Sequence, residues 1–114
     1  MFFTLSPVVS YVFDRQSQKT LYFSPEQAEF VERLRINYLN KYVAMYGYAP
    51  DELLISPIGR HKKTVTRYKN TWITAYGGQF LLEGSPRALT FAYDAGLGAK
   101  NAQGFGLLLA ASPK

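Results

Sequence analysis

The sequence has no cysteine and a single histidine, His61. Disulfides and thiolate metal sites are therefore excluded, and so is a multi-histidine metal centre. No apolar run approaches the roughly 20 residues that a membrane-crossing helix needs, so no membrane partner is expected. The opening, residues 1–12, shows neither a basic stretch nor a small-residue cleavage site, and no secretory signal is read there. The expected location is the cytoplasm, and no cofactor is expected. Acidic residues are also missing where it matters. None occurs between Leu53 and Leu82.

Lysine and arginine number 13 against 8 aspartates and glutamates, a net charge of +5. Residues 1–52 hold five basic and six acidic side chains, whereas residues 53–114 hold eight and two. A positive field confined to one half suits a polyanionic partner, although modest net charge also serves solubility. Hydrophobic residues make up 47% of 114 residues. That is enough for a core without covalent staples, and the length fits one domain over 1–114.

The spacing of apolar residues predicts an extended segment over 2–13, with Pro7 at an edge or bulge, then a turn over 14–19 and a short extended piece at 21–23. Ser24-Pro25-Glu26-Gln27 reads as a capped helix start. Val31, Leu34, Tyr38, Tyr42 and Met45 then recur in steps of three and four, and Gly47 stands where a left-handed cap would end the helix, giving a helix near 25–46. A strand over 53–58 is interrupted by Pro57-Ile58-Gly59. The β-rich runs 64–68 and 72–76 form a hairpin through Lys69-Asn70-Thr71, with Gly77-Gly78 as a bulge before 79–82. Ser85-Pro86 opens a second helix over 86–95, and 106–111 is a last strand. The order predicts an α+β, ferredoxin-like βαββαβ fold, an antiparallel sheet with two helices on one face.

Two stretches are candidates for chemistry. Arg60, Lys62, Lys63, Arg67 and Lys69 place five cations within ten residues, with Tyr68 and Trp72 beside them. Lys63, Arg67 and Lys69 would share one face of an extended chain. Such a row suits successive phosphates, with the aromatic rings available to stack on bases. A solvated hairpin tip, where lysines guard a strand edge, is the plain alternative. The second stretch, Gly96-Leu97-Gly98-Ala99-Lys100-Asn101-Ala102-Gln103-Gly104-Phe105-Gly106, has four glycines in eleven residues. Its backbone N–H groups could approach a phosphate. It follows a helix and precedes a strand, the reverse of a dinucleotide-binding fingerprint. His61 is a weak candidate for the base or acid of an RNA cleavage reaction.

The segment from Phe91 to Gly106 resembles the C-terminal signature of the CRISPR-associated "Cas six" endoribonucleases, of the repeat-associated mysterious protein (RAMP) superfamily. Its parts are a small-residue helix end, Gly-hydrophobic-Gly, a basic-Asn pair and a closing Gly-Phe-Gly. Leu5-Ser6-Pro7-Val8-Val9 is similar to the strand that opens that family's second domain, and residues 78–84 resemble the segment before its last helix. The resemblance implies a protein that binds CRISPR repeat RNA. Family members cleave precursor transcripts without metal, by 2′-hydroxyl attack, and usually pair two ferredoxin-like domains. This chain matches the second. The usual catalytic histidine lies on a helix of the first, so none is carried over, and cleavage is expected to need an N-terminal domain or a second chain. Gly96, Gly98, Lys100, Asn101, Gly104 and Gly106 are carried over as an RNA-backbone contact and domain-interface element. Phe2, Phe3 and Leu97 are candidates for apolar surface that a partner covers. Two alternatives stand beside this reading. One is a complete small endoribonuclease using His61. The other is a generic single-strand RNA-binding module, although only Gly104-Phe105-Gly106 echoes the motif that module would carry.

Overall fold

The computed structural model describes residues 6–109 with their side chains and residues 2–4 and 110 as backbone. Its elements run β1 (Phe2–Thr4), β2 (Tyr11–Asp14), β3 (Lys19–Tyr22), α1 (Ala28–Tyr46), β4 (Leu53–Tyr68), β5 (Thr71–Gly84), α2 (Pro86–Ala95) and β6 (Leu108–Ala110). Four strands form one antiparallel sheet in the order β4-β5-β1-β6, while β2 and β3 pair as a separate ribbon. Without the ribbon the order is βαββαβ, the ferredoxin-like arrangement. Both helices cover the same face. Phe30, Leu34, Tyr38 and Tyr42 of α1 and Ala88, Phe91 and Ala92 of α2 share one buried cluster with Leu53, Ile55, Phe80 and Leu82 of the sheet. The sheet residues are alternate ones, which point to one side of a strand.

The extended segment expected over 2–13 is broken. Val8 pairs with Tyr76, donating to its carbonyl at 2.7 Å and accepting from its N–H at 2.9 Å. Val9 instead meets Ala99, and β2 begins only at Tyr11. Pro7 has no N–H with which to carry the first ladder onward. Val8 and Val9, both fully buried, fall into different clusters.

Helix α1 also begins later than expected. Gln27 Oε1 accepts from the Ser24 N–H at 2.7 Å, and the Gln27 N–H donates to the Ser24 carbonyl at 2.9 Å. Half of a capping box therefore forms, but it closes a separate turn. Gln27 itself is extended (φ −89°, ψ 136°), so the turn cannot run into the helix, which starts at Ala28. The buried stripe is Phe30, Leu34, Tyr38 and Tyr42, in strict steps of four, and Met45 falls off it and is exposed. Gly47 ends the helix as expected, at φ +78°, its N–H donating to Val43 O at 2.8 Å. Helix α2 follows its sequence signals directly. Ser85 Oγ accepts from the Ala88 N–H at 3.1 Å, and Pro86 holds the first turn.

Strands β4 and β5 are one long hairpin rather than an interrupted strand followed by a short one. The ladder runs from Leu53↔Gly84 to Tyr68↔Thr71, with a bulge between Ile58 and Lys62 where the sequence suggested a break. Gly59, at φ +69°, absorbs that bulge. The turn is two residues, not three. Lys69 and Asn70 both have positive φ (46° and 65°), as the tight turn matched to strand twist requires. Leu97, expected on a surface, is buried in the main core. The side chains of Phe2 and Phe3 lie outside the described residues, as does Ala111 of the expected last strand.

Candidate nucleic-acid interface

Beyond the bulge the hairpin carries the basic stretch. Lys62 pairs with Gly77, Lys63 with Tyr76 and Arg67 with Trp72. Successive side chains of a strand alternate in direction, so Lys63 and Arg67 point to one face of the ribbon and Lys62 to the other. Lys69 has left the strand for the turn. The single row expected for Lys63, Arg67 and Lys69 is therefore not formed, and the cations are spread around the ribbon. Each end pair sets a cation on a ring. The Arg67 guanidinium lies 5.8 Å from the Trp72 centroid and Lys69 Nζ lies 5.6 Å from that of Tyr68. Arg67 Nη2 also donates to Asn70 Oδ1 at 2.8 Å. Trp72 remains 60% exposed, a large ring in solvent beside a fixed cation. Arg60, Lys62, Lys63, Arg67 and Lys69 are all exposed.

His61 has a structural role in this ribbon. Its Nε2 lies 2.9 Å from the Gln79 carbonyl, so Nε2 is the donor, and its ring packs 4.9 Å from that of Phe80. A Cβ on Gly78 would meet the same ring at 2.7 Å, so the glycine makes room for it.

The glycine-rich loop turns its donors inward. The N–H groups of Gly96, Leu97, Ala99, Gly104 and Gly106 donate to Ala92, Gly106, Val9, Asn101 and Pro7 carbonyls at 2.9–3.0 Å. Gly98 and Gly106 have positive φ (76° and 77°) and no room for a side chain. A Cβ on Gly98 would stand 2.5 Å from the Val9 carbonyl, and one on Gly106 would collide with the backbone of Leu97. The phosphate cradle expected of these amides is thus taken up by the chain itself at Gly96, Gly104 and Gly106. Asn101 is likewise engaged, its Nδ2 donating to Leu97 O and Phe105 O. Lys100 is half-buried, with Nζ 5.2 Å from the Tyr11 ring centroid.

The oxygens of the loop converge on a residue that sequence reasoning missed. Lys41 Nζ donates to Gly96 O at 2.8 Å, Gly98 O at 3.2 Å and Asn101 Oδ1 at 2.9 Å. Three acceptors match the three donors of an ammonium. Burial pushes its pKa down to about 8. Among the described residues no group of three or more His, Asp or Glu could hold a metal ion.

The family model for "CRISPR associated protein Cas6, C-terminal" matches residues 1–109. The chain belongs to this family. Three solved structures agree with the assignment. A Cas6-related protein from Pyrococcus furiosus is 30% identical with a TM-score of 0.87, over 99% of this chain and 48% of that one. A RAMP protein described as binding different RNA substrates is 27% identical with a TM-score of 0.87, over 97% of this chain and 48% of that one. A CRISPR associated protein Cas6 at 24% identity shares the fold, with a TM-score of 0.80, 97% of this chain and 48% of that one being covered. The chain spans about half the length of each. No curated protein sequence matches at the same stringency.

In this Cas6 C-terminal domain the glycine motif has a structural origin. It folds a loop into the core and leaves Lys41 to satisfy its oxygens. Arg33, Asn37 and Lys41 stand four residues apart on α1, a polar stripe beside the buried Leu34, Tyr38 and Tyr42, and that periodicity was the available signal. Lys41→Met keeps the stem and removes the ammonium. It is expected to destabilise the protein by about 1–3 kcal/mol, the cost of leaving partly buried acceptors unmatched. The pH dependence has a definite sign. The folded-state value near 8 lies below the roughly 10.4 of a free lysine. The unfolded chain therefore binds more protons between those values, and wild type gains on Lys41→Met as pH rises through that window. Urea midpoints of both proteins at pH 7 and pH 10 check both statements.

A cavity of about 670 Å³ lies elsewhere, between the end of α1 and α2, with Tyr42, Tyr46, Tyr48, Arg87 and Phe91 in its wall. Its rings pack on one another at centroid distances of 4.7–6.1 Å. It runs along α2 from Pro86 to Ala95.

Proposed function

We propose that the chain binds CRISPR repeat RNA as the C-terminal RNA-binding domain of a precursor-crRNA processing endoribonuclease. The observation that carries this reading is the basic end of the β4-β5 hairpin. Five exposed cations and the exposed rings of Tyr68 and Trp72 share it, and no carboxylate lies between Leu53 and Leu82 to dilute the field. Phosphate contacts position a nucleic acid and supply most sequence-independent affinity, while open rings stack on unpaired bases. Membership of the Cas6 family and likeness to a RAMP protein that binds RNA support the same assignment.

Cleavage is assigned to an N-terminal domain or a second chain acting with this one. The sole histidine is tied to the Gln79 carbonyl through Nε2 and wedged on Phe80, so His61 is held as part of the hairpin. A well-placed base or acid contributes about a hundred- to ten-thousand-fold to such a reaction. Without one the bound RNA should survive. Purified protein incubated with end-labelled repeat RNA is expected to shift it and leave it at full length. A single chelator-resistant cut ending in a cyclic phosphate, lost in His61→Ala, would instead make the chain a complete nuclease.

A further inference from the structure

A second, smaller cleft lies where the ribbon, helix α1 and the glycine loop meet. It encloses about 290 Å³, close to the lower end of small-ligand sites at about 300 Å³. Arg33, Asn37 and Asn40 of α1 form one wall, and Tyr11 and Phe13 of β2 with Gly98 form the other. Its polar set is incomplete. Arg33 Nε and Asn37 Oδ1 are buried from solvent and have no hydrogen-bond partner. Buried polar atoms are nearly always paired in folded proteins, and an orphaned pair at one place calls for an explanation. Phe13, an aromatic residue of the wall, is 48% exposed. Lys100 stands over Tyr11 at the same wall.

Resting on the RNA-binding reading above, we infer that this cleft receives one unpaired nucleobase of the bound RNA. Three observations converge on a base rather than a phosphate. The unmatched atoms are one donor and one acceptor, and an amide offers both whichever way it is turned. A phosphate presents acceptors only and would set its oxygens against the amide oxygens of Asn37 and Asn40. A base edge carries donors and acceptors side by side, and paired contacts from arginine and asparagine to such edges are the standard means of reading them. The flat ring has the exposed Phe13 to stack on, as single-stranded RNA recognition requires. The cleft is also continuous with the hairpin. Val9, Ile73, Ala75 and Phe105 form one buried cluster, with Tyr11 and Ala99 packed against it. The start of β5, next to the hairpin turn, the glycine loop and the wall of the cleft are thus one packed body. A strand held by hairpin phosphate contacts would pass Lys100 on its way to the cleft. The hairpin then supplies affinity and the cleft supplies base preference.

The test uses the full chain, isotope-labelled so that the Asn37 and Asn40 side-chain amides report by NMR. The probes are AMP, GMP, CMP, UMP, inorganic phosphate, and unstructured ribo-octamers differing at one central base. At least one mononucleotide is expected to shift both amides saturably, with phosphate alone inactive. Octamers should differ in affinity by roughly ten-fold between the best and worst central base. Asn37→Ala should bring that ratio within two-fold while leaving the salt dependence unchanged. Lys62→Glu should lower the affinity for all octamers equally and keep the ratio. Octamers that bind with silent amides and no base preference overturn the cleft and leave the hairpin reading intact. Mononucleotides that bind while no octamer does overturn the hairpin reading instead. Equal shifts from phosphate and nucleotides overturn the assignment of a base. If Asn37→Ala unfolds, the amide shifts and octamer ratios of wild type decide alone.

Discussion

Replacing Lys62, Lys63 and Arg67 together by glutamate is expected to weaken binding of single-stranded repeat RNA at least fifty-fold, taking each as one phosphate contact worth nearly four-fold at about 0.15 M salt. That factor is the entropy of released counterions, which scales with a logarithmic slope of roughly −0.7 per contact on a single strand. Reversal adds repulsion to the loss, so the figure is a lower bound. The variant should flatten the slope by about 2, and it should do so for every RNA sequence alike, since phosphates carry no base information. The three side chains are exposed, and Arg67 contacts only Trp72 and Asn70 at the tip among the described residues. The fold should survive the change, which an unaltered circular dichroism spectrum would register. Fluorescence anisotropy of labelled RNA across a salt series reads both affinity and slope. A loss below three-fold, with the slope unmoved, would remove the hairpin from the account.

Gly106→Ala is expected to be the most damaging single substitution in the loop, at about 3 kcal/mol or more. The estimate combines the 1–3 kcal/mol of a side chain held at positive φ with the 1–3 kcal/mol of forcing an atom into packed surroundings. The obstacle is rigid. The new Cβ would strike the Leu97 backbone, whose N–H is already bonded to the Gly106 carbonyl at 2.9 Å, and would press on Asn101 Nδ2 at 2.7 Å. Neither can move without breaking the loop that Lys41 and Asn101 hold closed. Gly104 is the internal control. Its φ is +96° but nothing lies within 4 Å of its Cβ position, so Gly104→Ala should cost only the conformational part, about 1 kcal/mol. Urea denaturation of the two variants should show a clear gap between them. Equal midpoints would mean that the loop yields more readily than its packing implies.

What the sequence disclosed tracks how local each signal was. The cap of α2 is a contact of three residues, Ser85 to Ala88, and was readable outright. The end of α1 at Gly47 was equally local. The start of α1 misled because the same Ser-x-x-Gln pattern that begins a helix also closes an isolated turn, and nothing nearby distinguishes them. The strand expected over 2–13 broke because Val9 is claimed by Ala99, ninety residues away, a competition that no window around Val9 can reveal. The basic hairpin was legible as a charge pattern, but its face was not. The two-residue turn at Lys69-Asn70 takes Lys69 out of the strand. The glycine loop was recognised as a motif and misread as an open cradle. Its oxygens are gathered by Lys41 and its amides by Pro7 and Val9, all remote in sequence. His61 looked chemical among cations and proved to be bonded to Gln79 across the ladder.

The most direct test of the central claim is a map of amide hydrogen exchange with and without repeat RNA. The account predicts slowed exchange concentrated in the hairpin over 60–76, extending to the loop around Lys100, and little change at the aromatic cavity between α1 and α2. Protection confined to that cavity, or no protection anywhere while RNA is demonstrably bound, would contradict it.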